Sequence, residues 1–143
     1  MQDKFVVDTS ILVYAYDKSE KEKRGRCINL IKSIFNNERE AFITNQILAE
    51  LFSVLALKIE KPIPTEKADL IIDSIIKSNN WNKINYTHIT IKKAIDLLKS
   101  FKIPFWDSLI VATMLENDIF CIYTENTKDF KKVPRLKVIN PLI

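Results

Sequence analysis

The sequence predicts an α/β fold, a three-layer α/β/α sandwich around a mostly parallel central sheet. Three observations predict it. Phe5-Val6-Val7 and Ile119-Phe120-Cys121-Ile122-Tyr123 are short, continuous apolar runs. Such runs mark strands buried on both faces, which belong to parallel sheets covered by helices. Between them, apolar residues recur at helical spacing, and strand and helix patterns alternate along the chain. The 143 residues suit a single domain over positions 1–143 with room for a proper core.

The first strand runs from Phe5 to Asp8. Ile11 to Tyr16 would suit strand or helix; a short helix is preferred because Thr9 or Ser10 can cap it. Asp17 to Lys23 is charged and expected to be exposed. Cys27, Ile28, Ile31, Ile34 and Phe35 form a one-sided helical stripe that Asn36-Asn37 ends. Ala41-Phe42-Ile43 is a second strand, and Thr44 or Asn45 caps a helix running to about Lys58. Pro62 and Pro64 make a rigid break. Thr65 then caps a helix with Ala68, Ile71, Ile72, Ile75 and Ile76 on its apolar face. A strand is expected within Trp81 to Tyr86, although its alternation is poor. Ile91, Ala94, Ile95, Leu98 and Phe101 mark another helix. Pro104 opens the next, which is apolar nearly all round from Leu109 to Leu115 and should be buried between neighbours. Leu136 to Ile139 reads as a last, edge strand.

Composition narrows function by exclusion. One glycine leaves no material for a glycine-rich phosphate loop or a dinucleotide fingerprint. Two cysteines, Cys27 and Cys121, sit within apolar patterns and read as buried thiols; with one histidine they cannot form a zinc site of the usual kind. Asp3, Lys4 and Asp8 break any signal-peptide core, and no apolar run is long enough to cross a bilayer. A cytoplasmic protein without membrane association is therefore expected. The net charge of +4 favours polyanionic partners, as a weak signal.

The informative residues are acids in apolar company, because carboxylates are almost never fully buried unless paired or bound to metal. Asp8 stands where the first strand ends, the usual place for ligands in open α/β sheets; capping the following helix would also explain it. Glu50 lies in Ile47-Leu48-Ala49-Glu50-Leu51-Phe52, on one stripe with Val54 and Leu57. Asp107 lies in the first turn of its helix, where the dipole tolerates an acid, but the dipole does not explain Phe105 and Trp106 beside it. Glu125, Asn126 and Asp129 follow the last clear buried strand; alone they would pass for a polar turn. Acids gathered at strand ends and on adjoining helices would repel one another, and a hard divalent cation removes the conflict. An all-oxygen set favours Mg²⁺ or Mn²⁺.

These residues resemble the PIN domain family (named for the PilT N-terminus), metal-dependent ribonucleases. The motifs are Val-Asp-Thr-Ser at 7–10, Glu50 in its apolar helix, Phe-Trp-Asp-Ser-Leu-Ile at 105–110, and Tyr-Thr-Glu-Asn-Thr-Lys-Asp-Phe at 123–130. The resemblance covers essentially the whole chain and is greatest to the short members that include VapC-type toxins. It implies that Asp8, Glu50 and Asp107 are the principal acids, with Thr9 or Ser10 as the supporting hydroxyl. It leaves the fourth acid open. Many relatives carry an acid two residues after the position of Thr124, where this chain has Asn126. Asp129 is preferred as the fourth acid and Glu125 is the substitute. The resemblance further implies an RNA substrate, Mg²⁺ or Mn²⁺ as cofactor, a homodimer and, for toxin members, an antitoxin protein. Lys128, Lys131, Lys132, Arg135 and Lys137, and separately Arg24 and Arg26, are candidate phosphate contacts. His88 is read as a loop or cap residue rather than a catalyst.

Overall fold

A computed structural model describes residues 4–143. The sheet has five strands, all parallel, in the order β3-β2-β1-β4-β5. They are β1 (Phe5–Val7), β2 (Ala41–Thr44), β3 (Trp81–Ile84), β4 (Cys121–Tyr123) and β5 (Lys137–Ile139). The seven α-helices among the described residues are α1 (Thr9–Tyr16), α2 (Lys21–Phe35), α3 (Asn45–Ser53), α4 (Thr65–Lys77), α5 (His88–Phe101), α6 (Phe105–Glu116) and α7 (Thr127–Phe130). The three-layer α/β/α arrangement and the parallel sheet are those the sequence predicts.

Strand order explains where a site can form. The chain lays down β1, β2 and β3 in one direction, then crosses back to place β4 on the other side of β1. Parallel crossovers are right-handed, so reversing the direction of travel moves the connecting helices to the other face. Accordingly α1 packs on α2 and α3, and α3 on α4, whereas α5 packs on α6 and α6 on α7. The reversal falls between β1 and β4, and the crevice above their carboxyl ends is where such sheets bind ligands. Asp8 leaves β1 there and Thr124 leaves β4 there; the Asp8 backbone N–H donates to the Tyr123 carbonyl at 2.9 Å.

The core follows from the apolar runs. Phe5, Val6 and Val7 are at most 1% exposed, as a central strand covered on both faces requires. In α6 every residue from Ser108 to Met114 is buried. Its two buried hydroxyls return to backbone carbonyls, Ser108 to Ile103 at 3.2 Å and Thr113 to Leu109 at 2.8 Å, so the helix buries no orphan polar group there. Cys27 and Cys121 are both buried in the main core. No helix among the described residues is long and apolar enough to cross a membrane.

Several local expectations change. The cap of α1 is neither Thr9 nor Ser10 but Asp8, whose Oδ1 accepts the Thr9 N–H at 2.8 Å. Asp17 is buried rather than exposed, because its carboxylate accepts both the backbone N–H and the hydroxyl of Ser19 at 3.0 and 2.6 Å. Thr44 does cap α3, accepting from the Ile47 N–H at 3.0 Å. Thr65 starts α4 without capping it; Pro64 holds the cap position. Beyond Ser53 the helix continues to Lys58 as a π turn. The wider turn rotates the stripe read through Glu50, Val54 and Leu57, and leaves Leu57 72% exposed. On α4, Ala68 and Ile75 are buried but Ile76 is half exposed. The stretch after β4 that alone would pass for a polar turn contains α7, pinned by the fully buried Phe130.

Candidate metal centre

Four elements bring acids to the β1/β4 crevice. Asp8 arrives because the apolar run of β1 ends one residue before it. It is 9% exposed, held by the Thr9 N–H on one oxygen and by the Thr124 hydroxyl at 2.7 Å on the other. Burial raises its pKa; the hydrogen bonds from Thr124 and Thr9 oppose the rise, and the charge of Glu50 adds to it. Glu50 projects from α3. Its Oε2 accepts the Thr9 hydroxyl at 3.1 Å and its Oε1 accepts the Gln46 amide at 3.0 Å. Thr9 therefore ties the first acid to the second, through its backbone N–H on one side and its hydroxyl on the other.

Asp107 stands in the first turn of α6. Its pKa is pushed up to about 6, by burial first and then by the negative charges of Asp8, Asp129 and Glu50, against the hydrogen bond from Asn126. Four carboxylates, one just past the end of β1 and one each from α3, α6 and α7, thus share one electrostatic field. Asn126 is the link to the last: its amide donates to Asp107 Oδ2 at 3.0 Å and to Asp129 Oδ2 at 3.1 Å. Its own backbone N–H donates to the Thr124 hydroxyl at 3.0 Å. Asp129 is held below the usual carboxylate range, chiefly by the Asn126 hydrogen bond and then by Lys132, whose ammonium lies 3.2 Å away.

Glu125 points elsewhere. The Tyr14 hydroxyl lies 2.8 and 3.1 Å from its two oxygens, and Lys23 stands 3.6 Å away. Ser10 contributes only a long contact, accepting the Glu125 N–H at 3.5 Å. Among the described residues, no three acid, histidine or cysteine side chains stand close enough to grip one ion between them. The interposed donors Thr9, Thr124, Asn126 and Gln46 occupy the carboxylate oxygens instead. The donor chemistry nonetheless suits a hard divalent cation: every candidate ligand is a carboxylate oxygen, and Asp107 carries the strain of its like-charged neighbours.

The chain also carries a residue that sequence reasoning missed. Gln46, 9% exposed, donates from one amide nitrogen both to Glu50 and to the Trp106 carbonyl, each at 3.0 Å. The available signal was a polar side chain four residues before Glu50, at the start of an otherwise apolar helix. The basic candidates divide. Lys132 reaches Asp129. Lys137 opens β5 beside Cys121, and the Arg135 guanidinium covers the Phe120 ring at 4.4 Å, so both lie at the amino ends of strands, opposite the acids. Arg24 lines a groove with Tyr16, Lys61 and Lys67, and Arg26 donates to the Leu142 carbonyl at 3.1 Å. His88 is the first residue of α5; the cap is Thr87.

The PIN domain family profile matches residues 5–136. The chain belongs to the PIN domain family. Solved structures with the same PIN fold include VapC20 of Mycobacterium tuberculosis, described as a sarcin-ricin loop cleaving toxin. Its TM-score is 0.71 at 18% identity, over 92% of this chain and 96% of that one. VapBC2 of Rickettsia felis, solved on a DNA fragment from its promoter, gives 0.68 at 22% identity over 96% and 98%. A toxin-antitoxin complex of Klebsiella pneumoniae gives 0.65 at 18% identity over 95% and 96%. No curated protein matches the chain by sequence. These likenesses extend over nearly the full length of each PIN chain compared and establish the fold.

Proposed function

We propose that this PIN domain is a metal-dependent endoribonuclease, hydrolysing RNA phosphodiester bonds at the β1/β4 crevice. The observation that carries the reading is the placing of four acids at the reversal point of the sheet, Asp8 tied to Glu50 through Thr9 and Asp107 tied to Asp129 through Asn126. Asp8 and Asp107 would hold Mg²⁺ or Mn²⁺ directly, Glu50 would act through a water or orient one, and Asp129 would serve as the fourth acid. When bound, the cation supplies Lewis acidity toward the phosphate and lowers the pKa of water. The protein's part is orientation. Thr124 and Thr9 fix both oxygens of Asp8, Gln46 and Thr9 fix those of Glu50, and Asn126 spans Asp107 and Asp129. Tyr14 and Lys23 hold Glu125 and with it the start of the β4–α7 loop.

The solved relatives with VapC or VapBC names support a further step: the chain acts in the cytoplasm as the toxin of a toxin–antitoxin pair, held by an antitoxin protein. The α4 helix, on which Leu70 and Ile76 are exposed, is the proposed contact for a second copy in a homodimer. A non-toxin RNA-processing nuclease uses the same chemistry. A binding-only PIN domain is the second reading, favoured by the amide of Asn126 where many relatives carry an acid.

The test is cleavage of end-labelled RNA with Mn²⁺, with excess chelator, and with Asp8→Asn. Cleavage only by the unsubstituted protein with metal supports the nuclease. Failure to cleave, together with RNA binding, supports the binding-only reading. Co-expression with the product of the neighbouring upstream gene tests the toxin assignment: relief of growth arrest is expected.

A further inference from the structure

Trp106 is the large aromatic residue that the acid cluster leaves unexplained. It directly precedes Asp107, yet its side chain is 62% exposed. Its neighbour Phe105 packs against the small cluster of Ala94, Leu109 and Ala112, as Tyr86 does. The Trp106 ring meets Phe105 edge-on, with centroids 5.2 Å apart. Its backbone is fixed where its ring is free, because the Trp106 carbonyl accepts the Gln46 amide that also holds Glu50. Trp106, Tyr86, Gln46, Glu50 and Lys58 line a cleft of about 530 Å³. That volume lies within the range of small-ligand sites.

We propose that this cleft takes an unpaired base of single-stranded RNA, stacked on Trp106 beside the phosphate that lies over the acids. The inference rests on the nuclease reading for the identity of its substrate. Three features select a base over other occupants. Glu50 belongs both to the cleft and to the acid cluster, so whatever enters lies against the reacting centre. An exposed indole with a tyrosine nearby is the platform on which unpaired bases stack, since every base has a π-face. Lys58, exposed on the cleft wall, places a cation where the adjoining phosphate would run. A duplex cannot offer its base faces, so the cleft selects unpaired RNA.

The chain has two tryptophans, and Trp81 is 1% exposed, so quenching of emission by added nucleic acid reports on Trp106. The experiment titrates the full chain, in excess chelator so that nothing is cleaved, with a short single-stranded oligoribonucleotide of mixed sequence and with the same strand annealed to its complement. Saturable quenching by the single strand and little by the duplex is expected. Trp106→Phe should abolish the quenching but keep most of the affinity, measured by anisotropy of a labelled strand. Trp106→Ala should weaken binding about tenfold. Lys58→Ala should weaken it too and lower its salt dependence. Absence of saturable quenching, equal quenching by the duplex, or an unchanged affinity in Trp106→Ala overturns the proposal. Cleavage with Mn²⁺ and an unchanged KM in Trp106→Ala would overturn the stacking site and leave the nuclease standing. Quenching without any Mn²⁺-dependent cleavage would support the stacking site and remove the nuclease.

Discussion

The hydroxyl of Thr124 donates to Asp8 Oδ2 at 2.7 Å, joining two residues 116 positions apart. Thr124 is fully buried, and the same oxygen accepts the Asn126 N–H. It therefore fixes the first acid and the residue that spans two others. Thr124→Val keeps the shape and removes both contacts, leaving a buried carboxylate oxygen and a backbone N–H to find new partners. A loss of about 1–3 kcal/mol is expected in urea denaturation with chelator. Calorimetric titration should show weaker Mn²⁺ binding.

Asp107 sets a pH dependence for the metal-free protein. Its folded pKa, about 6, lies above the ordinary value of 3.8, so the folded chain binds the proton more tightly than the unfolded chain. The contribution is fully present below 3.8 and is lost as pH rises through about 6. Metal-free protein should thus lose stability between pH 4 and pH 6, on the order of 1 kcal/mol after solvent screening of this half-buried group. Asp107→Asn should flatten that part of the profile, read from melting temperatures in chelator at a series of pH values.

Asn126 exchanges charge for hydrogen bonds. Asn126→Asp would replace two donated bonds by like-charge repulsion against Asp107 and Asp129. The metal-free variant should be less stable by on the order of 1–2 kcal/mol. Saturating Mn²⁺ should raise its melting temperature by more than it raises that of the unsubstituted protein. An equal rise in both would show that position 126 lies outside the reach of the ion.

Asp129 and Glu125 should separate cleanly. Asp129 shares the Asn126 amide with Asp107, whereas Glu125 is held by Tyr14 and Lys23. Asp129→Ala should lower Mn²⁺-dependent cleavage tenfold or more, by about 1.4 kcal/mol of barrier. Glu125→Ala should change it only a few-fold and act mainly on stability. The reverse ranking in single-turnover rates would move the fourth role to Glu125.

The sequence revealed most where hydrophobicity alone decides. Phe5–Val7 and, in the second run, Cys121 and Ile122 are buried because a central parallel strand has no wet face, and α6 is buried from Ser108 to Met114 between its neighbours. Asp8, Glu50 and Asp107 stood out as charges within apolar patterns. What stayed hidden depends on contacts between distant segments. Nothing near Gln46 announces that it will hold the carbonyl of Trp106, and nothing near Glu125 announces Tyr14. The π turn after Ser53 displaced the stripe through Leu57 because period counting assumes an unbroken α-helix. Asp8 shows that two explanations of one residue can both hold: it caps α1 and also faces the other acids.

The strand order β3-β2-β1-β4-β5 carries a consequence for the chain during its synthesis. β1 is made first, but its neighbour β4 and the loop bearing Thr124, Asn126 and Asp129 are made more than a hundred residues later. Translation proceeds at about 5–20 residues per second, so Asp8 spends several seconds outside the ribosome before Thr124 exists. Throughout that interval the acids have no common crevice to occupy. If the crevice hydrolyses RNA as proposed, an unfinished polypeptide is inert beside the RNA-rich machine that is making it, and competence arrives only when the last quarter of the fold closes.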